Sequence, residues 1–126
     1  MEDKQYTVLL VEDEDDIRQV YAEILREAGF KVLEARDGDE GLKAGLNEKW
    51  DVLLLDIMLP GEDGLQILKS LKENIRLKFR PVILLTNLGN ESIVNQAFKE
   101  GAEAYLIKSQ ITPDEIVKEV QQYLTS

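Results

Sequence analysis

Apolar residues along this chain follow two alternating periods. Short runs that are apolar at nearly every position occur at 6–11, 31–35, 52–55, 82–85 and 104–107, each rich in Val, Ile or Leu and bounded by turn or charged residues. Such runs predict strands of a sheet covered on both faces. Between them the spacing becomes helical. Ile17, Val20, Ile24 and Ala28 fall at i, i+3, i+7 and i+11, with Gly29 placed to end the helix. Leu65, Leu68, Leu71 and Ile75 repeat the stripe, and Val94, Ala97, Phe98 and Gly101 repeat it more weakly. Ile116, Val120, Tyr123 and Leu124 form the last one. It follows Thr112-Pro113-Asp114-Glu115, which offers an N-cap hydroxyl, a proline at the first helical position and a glutamate to complete a capping box. The helix predicted over 37–49 has the weakest pattern, because Gly41 and Gly45 each cost ~1 kcal/mol relative to Ala.

The order is βαβαβαβαβα, without repeat, linker or low-complexity segment, and 126 residues suit one domain over 1–126. Alternating strands and helices predict an α/β fold of (βα)5 type. Its sheet is parallel, its crossovers right-handed, and helices lie on both faces. Sheets of this kind bind ligands beyond the carboxyl ends of their strands, so function is expected in the residues that leave each strand.

Composition narrows the chemistry. There is no histidine, which excludes Ser-His-Asp and Cys-His catalysis and any phosphohistidine on this chain. There is no cysteine, hence no disulfide and no thiolate metal site. No apolar run approaches the ~20 residues of a membrane span. The acidic, polar start MEDKQY does not read as a signal peptide, so the cytoplasm is the expected compartment. The net charge of −10 is uneven: residues 1–63 carry 18 acids and 7 bases, residues 64–126 carry 7 acids and 8 bases. Lys69, Lys72, Arg76, Lys78 and Arg80 form a small basic stretch, read as a solvated helix face with cations near a helix C-terminus. An acidic chain without a longer basic stripe is not expected to bind nucleic acid directly.

Charge gathers at the predicted strand ends. VLLVEDEDD places Glu12, Asp13, Glu14, Asp15 and Asp16 directly behind strand 1; strand 3 delivers Asp56, strand 4 Thr86 and strand 5 Lys108. Each has an ordinary alternative. Asp56 suits a turn, the acids after strand 1 suit the dipole of a helix start, and Thr86 suits a cap. Lys108 suits a solvated surface. Arg36 and Asp37, after strand 2, fit only the start of a helix. The joint placement on one sheet edge is what singles out Glu12, Asp13, Asp56, Thr86 and Lys108. Three converging carboxylates repel one another unless a cation lies among them, and an all-oxygen donor set points to Mg²⁺ or a similar ion such as Mn²⁺. A lysine and a hydroxyl at the same spot suit a phosphoryl group. Asp56 is then the natural nucleophile, forming an acyl phosphate. Neither G-x-G-x-x-G nor G-x-x-x-x-G-K-[ST] follows strand 1, and VEDEDD would repel a nucleotide phosphate.

With VLLVEDE at 8–14, LLLDIMLPGEDGL at 53–65, VILLT at 82–86 and GAEAYLIKS at 101–109, the chain resembles the receiver domain of bacterial two-component response regulators over essentially its whole length. The resemblance implies a flavodoxin-like strand order 2-1-3-4-5. It implies Asp56 as phosphoacceptor, Mg²⁺ held by Glu12 and Asp13 (Asp13 more directly) with the main-chain carbonyl of Met58, and Lys108 on the phosphoryl oxygens. Thr86 and Tyr105 would be a switch pair reshaping the face of helix 4, strand 5 and helix 5. The implied partners are a sensor histidine kinase or phosphotransfer protein, and a downstream target or an output domain outside this sequence. A homodimer through that face is compatible with it. Such a protein is a signalling switch rather than an enzyme, catalysing at most its own phosphorylation and dephosphorylation.

Three positions depart from the family's pattern. Lys108 precedes Ser109 where a cis proline is usual, and a cis bond there would cost about 3–4 kcal/mol, so either a trans bond with a rearranged loop or a strained cis bond is expected. Asn87 stands where a small residue is common, and Met58 where phosphoryl access is tuned. Two other functions share these residues: a metal-dependent phosphatase with an aspartyl nucleophile, and an inactive receiver that serves only as an interaction module.

Overall fold

The computed structural model describes residues 5–59, 63–87 and 91–124. The start of MEDKQY and residues 60–62 of the LLLDIMLPGEDGL motif lie outside the described residues. The elements are β1 (Thr7–Val11), α1 (Asp15–Glu27), β2 (Lys31–Ala35), α2 (Gly38–Asn47), β3 (Val52–Asp56), α3 (Gly64–Glu73), β4 (Val82–Thr86), α4 (Glu91–Lys99), β5 (Ala104–Ile107) and α5 (Pro113–Leu124). The strands pair in parallel in the order β2-β1-β3-β4-β5. Both the alternation and the implied strand order are therefore present. Strands β3 and β4 each run one residue further than the apolar pattern predicts, so that Asp56 and Thr86 belong to the sheet.

Successive residues of the central strands feed two separate cores, as strand pleating requires. Leu9, Val11, Leu53, Leu55 and Leu84 pack with Ile67, Leu68 and Leu71 of α3. Val8, Leu10, Leu54, Ile83 and Leu85 pack with Leu25 of α1 and with Ile116 and Val120 of α5. This double burial is why β1, β3 and β4 read as continuous apolar runs.

The predicted helical faces need three corrections, the simplest being that of α4, where Val94 and Ala97 are buried but Phe98 is exposed and Gly101 lies past the helix end. In α1 the buried residues are Arg18, Tyr21, Ala22 and Leu25, whereas Val20 and Ala28 are exposed. The face is turned because the Tyr21 ring and the Arg18 side chain, whose guanidinium is bonded to Glu12, Asp15 and Glu34, pack inward, while the aliphatic count gave them no weight. Ile75 is 80% exposed because α3 has already ended at Glu73; Asn74 then accepts a hydrogen bond from the Arg76 N–H and turns the chain. At α5 the capping box is present: Thr112 Oγ1 accepts from Glu115 N at 3.3 Å, and Glu115 Oε1 accepts from Thr112 N at 3.1 Å. Asp37 caps α2 by accepting from Glu40 N, and Arg36 pairs with Glu40 at 2.8 Å. The helix cost of Gly41 and Gly45 has a packing reason. A Cβ on Gly41 would come within 2.7 Å of Val11 Cγ1, and one on Gly45 within 3.0 Å of Leu71 Cδ2.

Lys72 of the basic stretch is structural: its ammonium donates to the carbonyls of Lys78 and Arg80 and pairs with Glu103 at 3.2 Å. No peptide bond among the described residues is cis, so Lys108–Ser109 takes the trans alternative. The chain after it closes a turn in which the N–H groups of Gln110 and Ile111 donate to Ile107 O. Among the described residues no helix is long and apolar enough to cross a membrane.

Candidate functional site

Parallel register brings four strand ends to one edge. Val11 lies opposite Leu55, Asp56 opposite Leu85 and Thr86 opposite Ile107, so the residues leaving β1, β3, β4 and β5 are neighbours. Glu12 prolongs the ladder by donating its N–H to Ala35 O, and Lys108 donates its N–H to Thr86 O at 2.8 Å. The five residues singled out by sequence thus share one rim. Glu12 is 0%, Asp56 3% and Thr86 2% exposed, and the Lys108 side chain 6%.

Charged groups this buried need partners. Lys108 Nζ donates to Asp56 Oδ2 at 2.7 Å, and the main-chain N–H of Met58 donates to Asp56 Oδ1 at 3.0 Å. The same ammonium forms an ion pair with Glu12 Oε1 at 2.6 Å. Glu12 Oε2 accepts from the Glu14 N–H at 3.1 Å. Expected repulsion among the acids is therefore partly relieved from within: the lysine reaches between Glu12 and Asp56. Burial pushes Glu12 up to about 7 against the opposing pull of Lys108, and burial likewise raises Asp56. For Lys108, burial acts downward, but the hydrogen bond to Asp56 and the nearby Glu12 outweigh it and hold the ammonium above its ordinary value.

Asp13 is half-buried, and one carboxylate oxygen from each of Glu12, Asp13 and Asp56 lies within 4.8 Å of the other two. This all-oxygen set fits a hard divalent cation. The remaining predicted residues lie around it. Met58 and Asn87 have exposed side chains beside the rim. Thr86 Oγ1 donates to Asn87 O at 3.2 Å. Tyr105 is exposed and meets the Phe98 ring edge-on, with centroids 5.9 Å apart. Of the acids behind Asp13, Glu14 is the N-cap of α1, and Asp15 and Asp16 occupy its first turn.

One residue of the site was missed. Arg18 is buried, and its Nη1 donates to the main-chain oxygen of Glu12 at 3.0 Å. A signal was available, since Arg18, Tyr21, Ala22 and Leu25 are spaced i, i+3, i+4, i+7. A stripe drawn on aliphatic residues alone hides it.

Comparison with known proteins bears on this rim. The sequence matches the response regulator receiver domain family over residues 8–121. It is 35% identical to the transcriptional regulatory protein ResD of Bacillus subtilis (strain 168) over 93% of this chain and 47% of that protein. It is 38% identical to the phosphate regulon transcriptional regulatory protein PhoB of Escherichia coli (strain K12), over 90% of this chain and 49% of that one. The chain thus spans about half the length of these curated relatives. Among solved structures, the CheY-like receiver domain protein of Methanospirillum hungatei JF-1 superposes with a TM-score of 0.89 at 25% identity, covering 96% of this chain and 94% of the other. The chemotaxis response regulator CheY4 of Vibrio cholerae gives 0.87 at 28% identity, covering 95% and 99%.

Proposed function

Because the chain belongs to the response regulator receiver domain family of two-component systems, we propose that Asp56 is its phosphoacceptor and that the rim around Asp56 is a Mg²⁺-dependent phosphorylation switch. The observation that carries this is the joint position of Asp56, Lys108 and the Glu12–Asp13 pair on one buried edge. A carboxylate oxygen of Asp56 attacks phosphorus as the bond from phosphorus to the donor, a partner's phosphohistidine, breaks and its electron pair leaves with the imidazole. The product is an acyl phosphate. Lys108, within 2.7 Å of Asp56, follows the transferred oxygens, and the Thr86 hydroxyl turns from Asn87 O to donate to one of them. Glu12, Asp13, Asp56 and the Met58 carbonyl would hold Mg²⁺, or Mn²⁺ in its place. When bound, the ion supplies positive charge that offsets the acids and the incoming phosphoryl oxygens.

The exposed Phe98–Tyr105 pair on α4 and β5 suits an output surface formed with α5, one that would take a downstream protein or a second copy. We place the phosphoryl source in a sensor histidine kinase or phosphotransfer protein. The relatives' names support a transcriptional output lying outside residues 1–126, which we take as one receiver domain acting in the cytoplasm. Met58, apolar and exposed two residues beyond Asp56, argues against the phosphatase function, which calls for an acid at that position.

Incubation with acetyl phosphate and Mg²⁺ should add one phosphate to the intact mass, and Asp56→Asn should add none. Unmodified wild type, under conditions that modify a control receiver, would overturn the proposal.

Mg²⁺ affinity should also depend on pH. With Glu12 at about 7, binding below that pH must release its proton, so affinity falls as pH falls, approaching about tenfold per pH unit for one proton, and levels off above pH 7. Glu12→Gln should bind more weakly and lose most of this slope. Calorimetric titration across about pH 5.5 to 8.5 measures both; an affinity flat across the range in wild type would remove Glu12 from the ligand set.

A further inference from the structure

Five consecutive acids leave β1, yet only two of them face Asp56, and the arginine that sequence reasoning missed stands where they part. Arg18 spends each of its three guanidinium nitrogens on a different acceptor. Nη1 donates to Glu12 O at 3.0 Å, Nη2 to Asp15 Oδ1 at 2.6 Å, and Nε to Glu34 Oε1 at 3.3 Å on β2. The Arg18 side chain is 7% exposed and its bond to the Glu12 carbonyl is buried, while Asp15 and Glu34 hold the other two nitrogens from the solvent side, so the planar fork is held in one orientation. The Glu12 carbonyl belongs to the peptide that joins Glu12 to Asp13. Fixing it fixes the origin of both carboxylates that approach Asp56. The bond to Asp15 draws that acid toward Arg18, and Glu34 is shared between Arg18 and Arg26.

Building on the Mg²⁺ site proposed above, we infer that Arg18 is a positioning residue for the divalent cation: it anchors the Glu12–Asp13 peptide and engages the neighbouring acids, leaving Glu12, Asp13 and Asp56 as the ligand set. Arg18 touches neither the ion nor the phosphoryl group. It acts through the main chain of one ligand, as outer partners of metal ligands do, where a substitution typically weakens binding 10–100-fold.

Electrostatics alone makes the opposite prediction. Removing a positive charge beside an acidic cluster should tighten binding of a cation, so the sign of the change separates the two roles. Arg18→Lys keeps the charge and loses the fork; Arg18→Met loses both. By calorimetric titration with Mg²⁺ alone, both variants should bind at least about tenfold more weakly than wild type. Arg26→Gln removes the same charge and the same Glu34 partnership without reaching the Glu12 carbonyl, and should stay within about twofold of wild type, a change too small for a lost ligand anchor. Urea unfolding without Mg²⁺, run in parallel, separates metal affinity from stability. If Arg18→Met does not fold, Arg18→Lys decides the matter. Unchanged or tighter Mg²⁺ binding by folded Arg18→Lys would overturn the inference. Failure of wild type to bind Mg²⁺ would instead overturn the site on which it rests.

Discussion

Gly64→Ala is expected to destabilise the protein by about 3 kcal/mol and to impair phosphorylation of Asp56 with it. A Cβ at this position would lie 2.6 Å from Ile57 O, 2.7 Å from Ile57 Cα and 2.9 Å from Asp56 O. All three are backbone atoms, so no side-chain rotation can relieve the overlap. Either the first turn of α3 retreats, or the chain leaving β3 shifts. Retreat would loosen Ile67, Leu68 and Leu71, which are fully buried against the sheet. A shift would move Asp56 itself, and with it the hydrogen bonds from Lys108 and Met58. Gly41→Ala is the natural comparison, because there the added Cβ meets the side chain of Val11, at 2.7 Å, and not the backbone. That side chain is branched and fully buried, so it yields only in part; the better helix propensity of Ala offsets some of the cost, and about 2 kcal/mol is expected. Urea denaturation of the two variants checks the ranking. A Gly64→Ala protein no less stable than Gly41→Ala would show that the α3 start is free to move.

Lys108→Met should cost about 3 kcal/mol at pH 8 and much less at pH 5. Methionine keeps most of the volume, so the loss isolates the charge that sits 2.7 Å from Asp56 Oδ2 and 2.6 Å from Glu12 Oε1. Without it two buried carboxylates face each other with no cation of the protein between them, and the folded state escapes by taking up protons. Burial already raises both acids in the wild type, Glu12 to about 7, and removal of Lys108 raises them further. A carboxyl whose folded value exceeds its unfolded value binds more protons when folded. The stability tied to it is present below the unfolded value and is lost as pH rises through the folded one. The unfolded values are common to both proteins, so the deficit of the variant should open where the wild-type carboxyls ionise, for Glu12 around pH 7, and be complete above the values reached without Lys108. Added Mg²⁺ should stabilise the variant more than the wild type, since the ion replaces the missing charge. Unfolding curves at several pH values test this; a deficit independent of pH would mean that Lys108 contributes packing and not charge.

These two sites differ in how far they could be foreseen. Lys108 announced itself as a charged residue at the end of an apolar run, and its strand was placed correctly. Gly64 did not, because nothing local shows that backbone will pass 2.6 Å from where a Cβ would stand. Arg18 was hidden for a third reason: its charge excluded it from a hydrophobic stripe, although it lies on the buried face of α1.

Sequence alone determined the order of elements, the strand order through family likeness, and the rim on which function sits. Period-2 and period-3.6 patterning are local properties, and the strand ends follow from them. Tertiary structure decided what happens between those ends. Glu12 and Asp13 are adjacent acids of one turn, yet the first is fully buried and the second only half-buried, a difference set by the strands and helices around them. The contact of Lys108 with Asp56 spans 52 residues and exists because β5 and β3 flank β4 in register. Five acids in a row first read as a repulsion in search of an external cation. Packing supplies two internal ones, Lys108 among the ligands and Arg18 behind them.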